Sequence, residues 1–567
     1  MVLYAKEYWW SIGGFIGVLA ILNIVGRLSA WLELRASSLS DAETARVPSQ
    51  HRSSSLLARL WGALISLVSI VLFRLPFPLR SLHRINTVAE FACVGSYMGA
   101  TIAWTLMSTD ASVVKVSDIA RVMAAVQVPF IIALAGKNNV ITWLTGLSHE
   151  RLNVIHRAAG RACFAISWLH GGAMLYLRHN TIFHRWGMVA LAGLSAAAIF
   201  SVRPVRNFSY ELFLMGHILF IIMFITGLLL HEPLYRRYSY PGLVFWAFDR
   251  LLRLARMAWI NLTLTSPKES HHSSSVELLS TDTVRVSLTR PRKTLASWRA
   301  GQHFFIIAPG IANLPWEAHP FTSSTIPHSL GGTDEDDVHV EFIIRGRDGF
   351  TGNLLEHAIL NGAAPKIAKA ETFILDGPYG QPPNLGVFDT AILVAGGSGV
   401  SYTLSMLLDR IYRAQSGRDR TSRVLFIWAV RQESHLNWIA PALQKALHAP
   451  ALTNAVGEVD EKLKGSPISA TSSKTDWSPS QSHTQLVELV EGGGGRVRVL
   501  HSRPDMQTVI DEELAASEGL KVSVDVSGPG KLVEAVKHTL ATSSFSSPAA
   551  VLRGGPSVTL HSEVFGW

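Results

Sequence analysis

Four histidines raise the first chemical question in this chain. His156 and His170 close the two ends of HRAAGRACFAISWLH, and His217 and His231 bracket HILFIIMFITGLLLH, each pair fourteen residues apart within an apolar run. At about 100° per residue, such a step returns the second ring to within about 40° of the first, on one helix face. The rise of about 1.5 Å per residue separates them by roughly 21 Å, near opposite edges of a hydrocarbon core about 30 Å thick. Ionisable side chains at membrane depth are costly and mark function. One apolar segment, 186–202, lies between the two helices, so they run in the same direction. His156 is then level with His217, and His170 with His231. Two imidazoles across a helix gap at each level suit bis-histidine haem iron, and two haems stacked across a bilayer make a path for electrons. His149 is in phase but sits in polar GLSHER, and His179 and His184 fall in the opposite loop. These three are not counted as ligands.

Holding such histidines requires a bundle of spans. Apolar segments of membrane-spanning length, roughly 17–25 residues, occur near 9–28, 88–107, 119–135, 152–175, 186–202, 211–230 and 241–260. The first lacks a charged n-region and a small-residue cleavage site, and reads as a retained anchor. Another run, LLARLWGALISLVSIVLF (56–73), lies in a stretch carrying Arg35, Arg46, Arg52, Arg59, Arg74, Arg80 and Arg84 against Glu33, Asp41 and Glu43. Basic loops face the cytosol, so 56–73 is expected to be interfacial or re-entrant. Seven spans follow, with the amino terminus outside and the carboxyl half in the cytosol. Should 56–73 span, the terminus moves inside and the orientation after residue 88 is unchanged. Of the 567 residues, 48% are hydrophobic and only 16% charged, against about 25% charged in soluble proteins; the deficit lies before residue 260. Cys93 and Cys163, both in apolar runs, exclude a disulfide framework, a zinc cluster and CxxCH haem attachment. The formal charge of +9 fits basic cytosolic loops and phosphorylated cofactors. No basic–aromatic tract points to nucleic acid, and no partner protein is evident.

Beyond Trp259 the pattern changes. TSPKESHHSSS (265–275) is a polar junction, followed by short alternating runs such as VRVSLT and HFFIIAP with glycine and proline between them, the signature of a small antiparallel barrel. In IIRGRDGFTGNLLE (343–356) a Gly–Phe–Thr–Gly turn opens a helix, whose free N–H groups make a natural pyrophosphate seat. From about 386 the order becomes buried strand, glycine turn, helix: TAILVAGGSGVSYTLSMLLDRIY, VLFIWAV, then VSVDVSGPGKLVEAVKHTL. That alternation predicts a parallel nucleotide-binding sheet. AILVAGGSGVSYTL is not the GxGxxG fingerprint, but Gly396, Gly397 and Gly399 let backbone approach a ligand closely. Residues 454–486, polar and low in complexity, read as a disordered insertion.

HRAAGR, the doubled histidine spacing and the motifs of the soluble half resemble the fungal ferric/cupric-chelate reductase family, relatives of the NADPH oxidases. The likeness covers roughly 85–567; the earlier residues match only as an extra span and a basic loop. It implies a multi-span α-helical membrane domain binding two haem b groups, an FAD-binding β-barrel lobe, and an α/β NADPH-binding lobe of the ferredoxin reductase kind. The corresponding division is 1–86, 87–262, 263–385 and 386–567. HPFTSS places His319, Pro320, Phe321 and Thr322 along the flavin, and Arg345, Thr351 and Gly352 at its phosphates. LDGPYG (375–380) resembles the turn that hands the flavin lobe over to the next, where Tyr379 is equally a structural residue. Gly396, Gly397, Ser398 and Gly399 resemble the NADPH turn, with Arg431 of WAVRQES at the ribose or its 2′-phosphate and Gly528 of VSGPG beside the nicotinamide. Ser527 stands where cysteine usually precedes Gly–Pro, and Val400–Ser401 replace a frequent Ile–Thr pair. The terminal Trp567 resembles the aromatic that stacks over the flavin. The implied activity is electron transfer from cytosolic NADPH to ferric or cupric chelates across a lipid bilayer, the plasma membrane being the expected one. An NADPH oxidase making superoxide, and a haem-bearing membrane protein or transporter with a regulatory soluble half, remain open alternatives.

Overall fold

A computed structural model describes residues 2–43, 56–75, 87–107, 112–177, 182–231, 233, 236–262, 273–330, 336–363, 372–415, 420–447 and 505–564. The low-complexity insertion at 454–486, most of the polar junction and Trp567 lie outside them. The long helices of the first half are α1 (Val2–Glu43), α2 (Leu56–Ser69), α3 (Val88–Leu106), α4 (Val113–Ala135), α5 (His149–Tyr176), α6 (Ile182–Phe200), α7 (Tyr210–His231) and α8 (Arg236–Asn261). The chain divides into one unit of Met1–Ser29 and Phe77–Arg256, and another of Ala30–Pro76 and Met257–Trp567.

Each of the seven expected spans overlaps a helix. Among the described residues, Ala5–Arg35, Val113–Ala135 and Tyr210–His231 are long and apolar enough to cross a membrane by length and composition. In the first unit α4 packs along α5, and α6 along α7. Glycine permits the second contact: a Cβ on Gly193 would sit 2.7 Å from the Phe224 backbone nitrogen, and one on Gly227 2.6 Å from that of Ala190. Small residues that let backbones approach are the usual means of joining helices in lipid, where apolar side chains gain little by leaving the tails. Polar bonds pin the rest. Tyr8 Oη lies 3.0 Å from Tyr97 Oη, which donates to Gln127 Oε1 at 2.8 Å, and Gln127 Nε2 donates to the Met123 carbonyl at 2.7 Å. Buried Asp249 accepts from the backbone N–H of Asn138 at 2.7 Å.

In the second unit, β1 (Ser274–Ser280), β2 (Thr283–Pro291) and β5 (Asp337–Arg345) form one antiparallel sheet in the order β1-β2-β5. A second has β3 (His303–Ile307) between β4 (His319–Thr322) and β6 (Ile374–Tyr379). Alternation fixes the faces: Val284, Val286 and Leu288 point inward and meet Phe304, Ile306, Phe342 and Leu375 in a shared core. This is the antiparallel barrel the alternating runs predict. Helix α9 (Phe350–Ala363) packs on it, and Asn261 is bonded to both the N–H and the carbonyl of Leu375, at 2.9 and 2.7 Å.

The last lobe is a parallel sheet ordered β10-β9-β7-β8, from β7 (Thr390–Gly396), β8 (Arg423–Ala429), β9 (Lys521–Gly528) and β10 (Ser557–Val564). Among its helices are α10 (Val400–Gln415), α11 (Met506–Ala515), α12 (Gly530–Thr542) and α13 (Pro548–Leu552). Strand β7 is buried throughout, which explains its unbroken apolar run. Ala391, Leu393 and Ala395 face α10, while Ile392 and Val394 face the side of α11 and α12.

Candidate functional site

The histidines come together in pairs. The rings of His170 on α5 and His231 on α7 have centroids 6.1 Å apart, and His156 and His217 are close enough to interact electrostatically. Two imidazoles on one metal ion, at about 2 Å per bond as for zinc, put ring centres roughly 6 Å apart. The hydrogen bonds also suit ligation. His156 Nδ1 lies 2.9 Å from the Ile131 carbonyl and His170 Nδ1 3.0 Å from that of Ser117, so in both rings Nδ1 is the donor. The Ser201 hydroxyl donates to the Ala197 carbonyl at 2.7 Å and is left to accept from His217 Nδ1 at 3.0 Å. With Nδ1 holding the proton, Nε2 keeps its lone pair for a metal, the arrangement expected of ligating histidines. Space is provided as well. A Cβ on Gly160, one turn beyond His156, would meet nothing within 4 Å, whereas one on Gly187 would strike the His231 ring at 2.8 Å. The four rings and their polar supports therefore fit haem.

Sequence reasoning missed the supports. Ser117 and Ser201, hydroxyls on or beside otherwise apolar helices, were the available signal. His184 proves to lie in α6 with its ring 6.4 Å from that of His231, and His149 begins α5 rather than ending a loop.

In the flavin lobe, HPFT forms edge strand β4. His319 stacks on Phe350 at 4.5 Å, and Phe321 lies 6.2 Å from the same ring, which brings β4 to the start of α9. There the Thr351 hydroxyl accepts from the Arg347 N–H at 3.1 Å. A Cβ on Gly352 would lie 2.3 Å from the Arg347 carbonyl oxygen, so no larger residue fits. Arg345 is already engaged: its Nε donates to Asp282 at 2.8 Å. Partial burial alone would raise the Asp282 carboxyl, but bonds from Thr283 and Arg345 outweigh it and hold the group below its ordinary range. Tyr379, buried, donates to Asp376 at 2.7 Å and is structural.

Chain order in the parallel sheet runs from β7 out to β8, then back across β7 to β9. Ligands of open α/β sheets bind where the order reverses, at the carboxyl ends of the strands. Here that point is occupied by Gly396–Gly399 and Ser527–Gly528, and the two turns touch. A Cβ on Gly399 would lie 2.3 Å from the Ser527 carbonyl oxygen, and one on Gly528 3.0 Å from the Gly396 nitrogen. Gly397 has φ +57° and faces open space, as a close approach by a ligand requires. Trp428 Nε1 donates to the Gly397 carbonyl at 2.9 Å and ties the turn to β8. Ser398 lies within the turn. The Ser527 hydroxyl is buried and has no hydrogen-bond partner among the described residues. Arg431 is exposed just past β8.

Comparison with known proteins agrees with this arrangement. Residues 120–228 match the model of the ferric reductase like transmembrane component, 269–383 that of an FAD-binding domain, and 388–541 that of the ferric reductase NAD binding domain. The chain is 29% identical to the probable cell surface ferric reductase kap2 of Aspergillus oryzae over 57% of its own length and 44% of that protein's. It is 22% identical to ferric/cupric reductase transmembrane component 1 of Candida albicans, over 80% of this chain and 57% of the relative. For ferric reductase transmembrane component 3 of Saccharomyces cerevisiae the identity is 24%, over 77% and 60%. The chain thus spans about half the length of the curated relatives it matches. A helical membrane component, a flavin barrel and a nicotinamide lobe thus match in succession along the chain, which is similar in this order to the ferric reductases.

Proposed function

We propose that this protein moves electrons from cytosolic NADPH across a membrane, the plasma membrane, to ferric or cupric chelates on the opposite face. The observation that carries the reading is the histidine pairing across α5 and α7, with the His170 and His231 rings 6.1 Å apart and the Nδ1 atoms of His156, His170 and His217 held by carbonyls and a hydroxyl. When bound, FAD would accept a hydride and pass on single electrons, and two haem b groups would carry them through the bilayer. Everything else is the task of this chain's residues.

His156 and His217 would hold the inner haem and His170 and His231 the outer one. His319, Pro320, Phe321 and Thr322 line the flavin ring, while Thr351 and Gly352 seat its pyrophosphate at the amino terminus of α9. The exposed Arg431 meets the 2′-phosphate of the nucleotide. The turn Gly396, Gly397, Ser398, Gly399 receives the nucleotide backbone, and Ser527 with Gly528 orients the nicotinamide ring, Ser527 offering its unpartnered hydroxyl to the carboxamide. Trp567 covers the flavin until the nicotinamide displaces it. The domain limits 1–86, 87–262, 263–385 and 386–567 belong to the same proposal.

Purified protein reconstituted in lipid, supplied with NADPH and NADH in turn and with ferric citrate, cupric citrate or oxygen, tests the reading. Faster reduction of the metal chelates than of oxygen, with preference for NADPH, is expected. Superoxide as the main product would make the chain an NADPH oxidase.

A further inference from the structure

Helix α2 has two unlike faces. Toward the nicotinamide lobe it buries Ala63 and Ser66, and the π-helical turn Ile70–Arg74 that continues it buries Arg74. The Ser66 hydroxyl donates to the Ser546 carbonyl at 2.9 Å; Arg74 donates to the carbonyls of Val558, at 2.6 Å, and Leu540, at 3.3 Å. A Cβ on Gly62 would come within 3.1 Å of Val551 Cγ1. The step 62/63, 66, 70, 74 is one helical stripe, and a guanidinium buried against carbonyls is a strong anchor because charged donors make the stronger hydrogen bonds. The end of α1 adds a second tie, with Lys521 Nζ 2.8 Å from Glu33.

The other stripe is left bare. Leu57 is 78% exposed, Trp61 65%, and Leu60, Leu64 and Leu67 about half. Contiguous apolar surface of this kind, with no charge between Leu60 and Phe73, marks an interaction site.

We infer that this face rests on the lipid surface, so that α2 is an adaptor gripping the nicotinamide lobe with one side and the bilayer with the other. Three observations select lipid as the occupant. The segment is bounded in the chain by helices of the membrane domain, α1 and α3, which keep it within reach of a bilayer. Ser66 and Arg74 are bonded along its length to carbonyls of the nicotinamide lobe, so one side cannot face hydrocarbon and the helix lies on the membrane rather than in it. An amphipathic helix with a tryptophan on its apolar side and arginine-rich flanking sequence is built for an anionic interface. The inference is independent of the terminal electron acceptor.

The test is photocrosslinking of the full-length protein in vesicles of phosphatidylcholine and phosphatidylserine. Trp61→p-benzoylphenylalanine places the probe on the bare stripe, at a largely exposed position; Glu518→p-benzoylphenylalanine places it on an exposed part of the same lobe. Lipid adducts severalfold more abundant at 61 than at 518 are expected. Equal lipid labelling at the two sites overturns the inference, as does a covalent dimer as the main product at 61, which would assign the face to a second copy of the chain.

Discussion

At the scale of single residues, the histidines and Ser527 make separable predictions. Replacing His156 or His217 by Ala removes one of the two histidines that would hold the inner haem, and replacing His170 or His231 one of those that would hold the outer. The haem-to-protein ratio, read by pyridine haemochrome, is expected to fall from about two toward about one in each variant. Two low-spin haems retained in any of them would refute the pairing. Ser527 tests function against stability. A buried hydroxyl without a partner costs about 1–3 kcal/mol, so Ser527→Ala should leave the thermal midpoint unchanged or raise it. The same change should slow flavin reduction by NADPH about tenfold, equivalent to about 1.4 kcal/mol of lost positioning, in a stopped-flow trace. A lowered midpoint with unaltered reduction would show the hydroxyl to be a packing group. The spacing of the histidines was legible because a helix has a fixed period. Their Nδ1 partners were not, since Ile131, Ser117 and Ser201 reach the rings from other parts of the chain.

Among the elements, β9 carries both the turn proposed to meet the nicotinamide and a buried acid. Asp525 accepts from Ser523 at 2.6 Å and from Tyr402 at 3.1 Å, with His561 as its register partner on β10. Burial raises its carboxyl above the ordinary range, more than His561 and the two hydrogen bonds lower it. The folded protein therefore keeps a proton that the unfolded chain releases near pH 4, and this group's contribution to stability declines as pH rises from there to its folded pKa. Asp525→Asn removes that dependence. The thermal midpoint of the variant minus that of the parent should grow as pH rises from about 4 and then level off; parallel profiles would contradict the assignment. Strand–turn–helix order was legible here from composition, because β7 is buried on both faces and so apolar throughout. The docking of α2 was not, as its partners Ser546, Leu540 and Val558 lie more than 460 positions away and offer only backbone carbonyls. Nor was the engagement of Arg345 by Asp282, which depends on the turn between β1 and β2 meeting the end of β5.

For the molecule as a whole, the reading predicts that entry and exit of electrons can be uncoupled. His170→Ala or His231→Ala should abolish reduction of ferric citrate while flavin reduction by NADPH continues at the parental rate, measured on the same preparation. Loss of both activities together would mean that the outer pair supports the fold of the entire protein. No flavin reduction even in the parent would favour a soluble half that only regulates a membrane haem protein. One contrast within the nucleotide lobe bears on its history. The turn Gly396–Gly399 is confined by the backbone of Ser527 and Gly528 and by the indole of Trp428, whereas Arg431 stands exposed past the strand end. Surface substitutions usually change stability by less than about 0.5 kcal/mol. Under the proposed function, a substitution at position 431 would shift the choice of electron donor at little cost in stability, while the turn that receives the donor stays fixed.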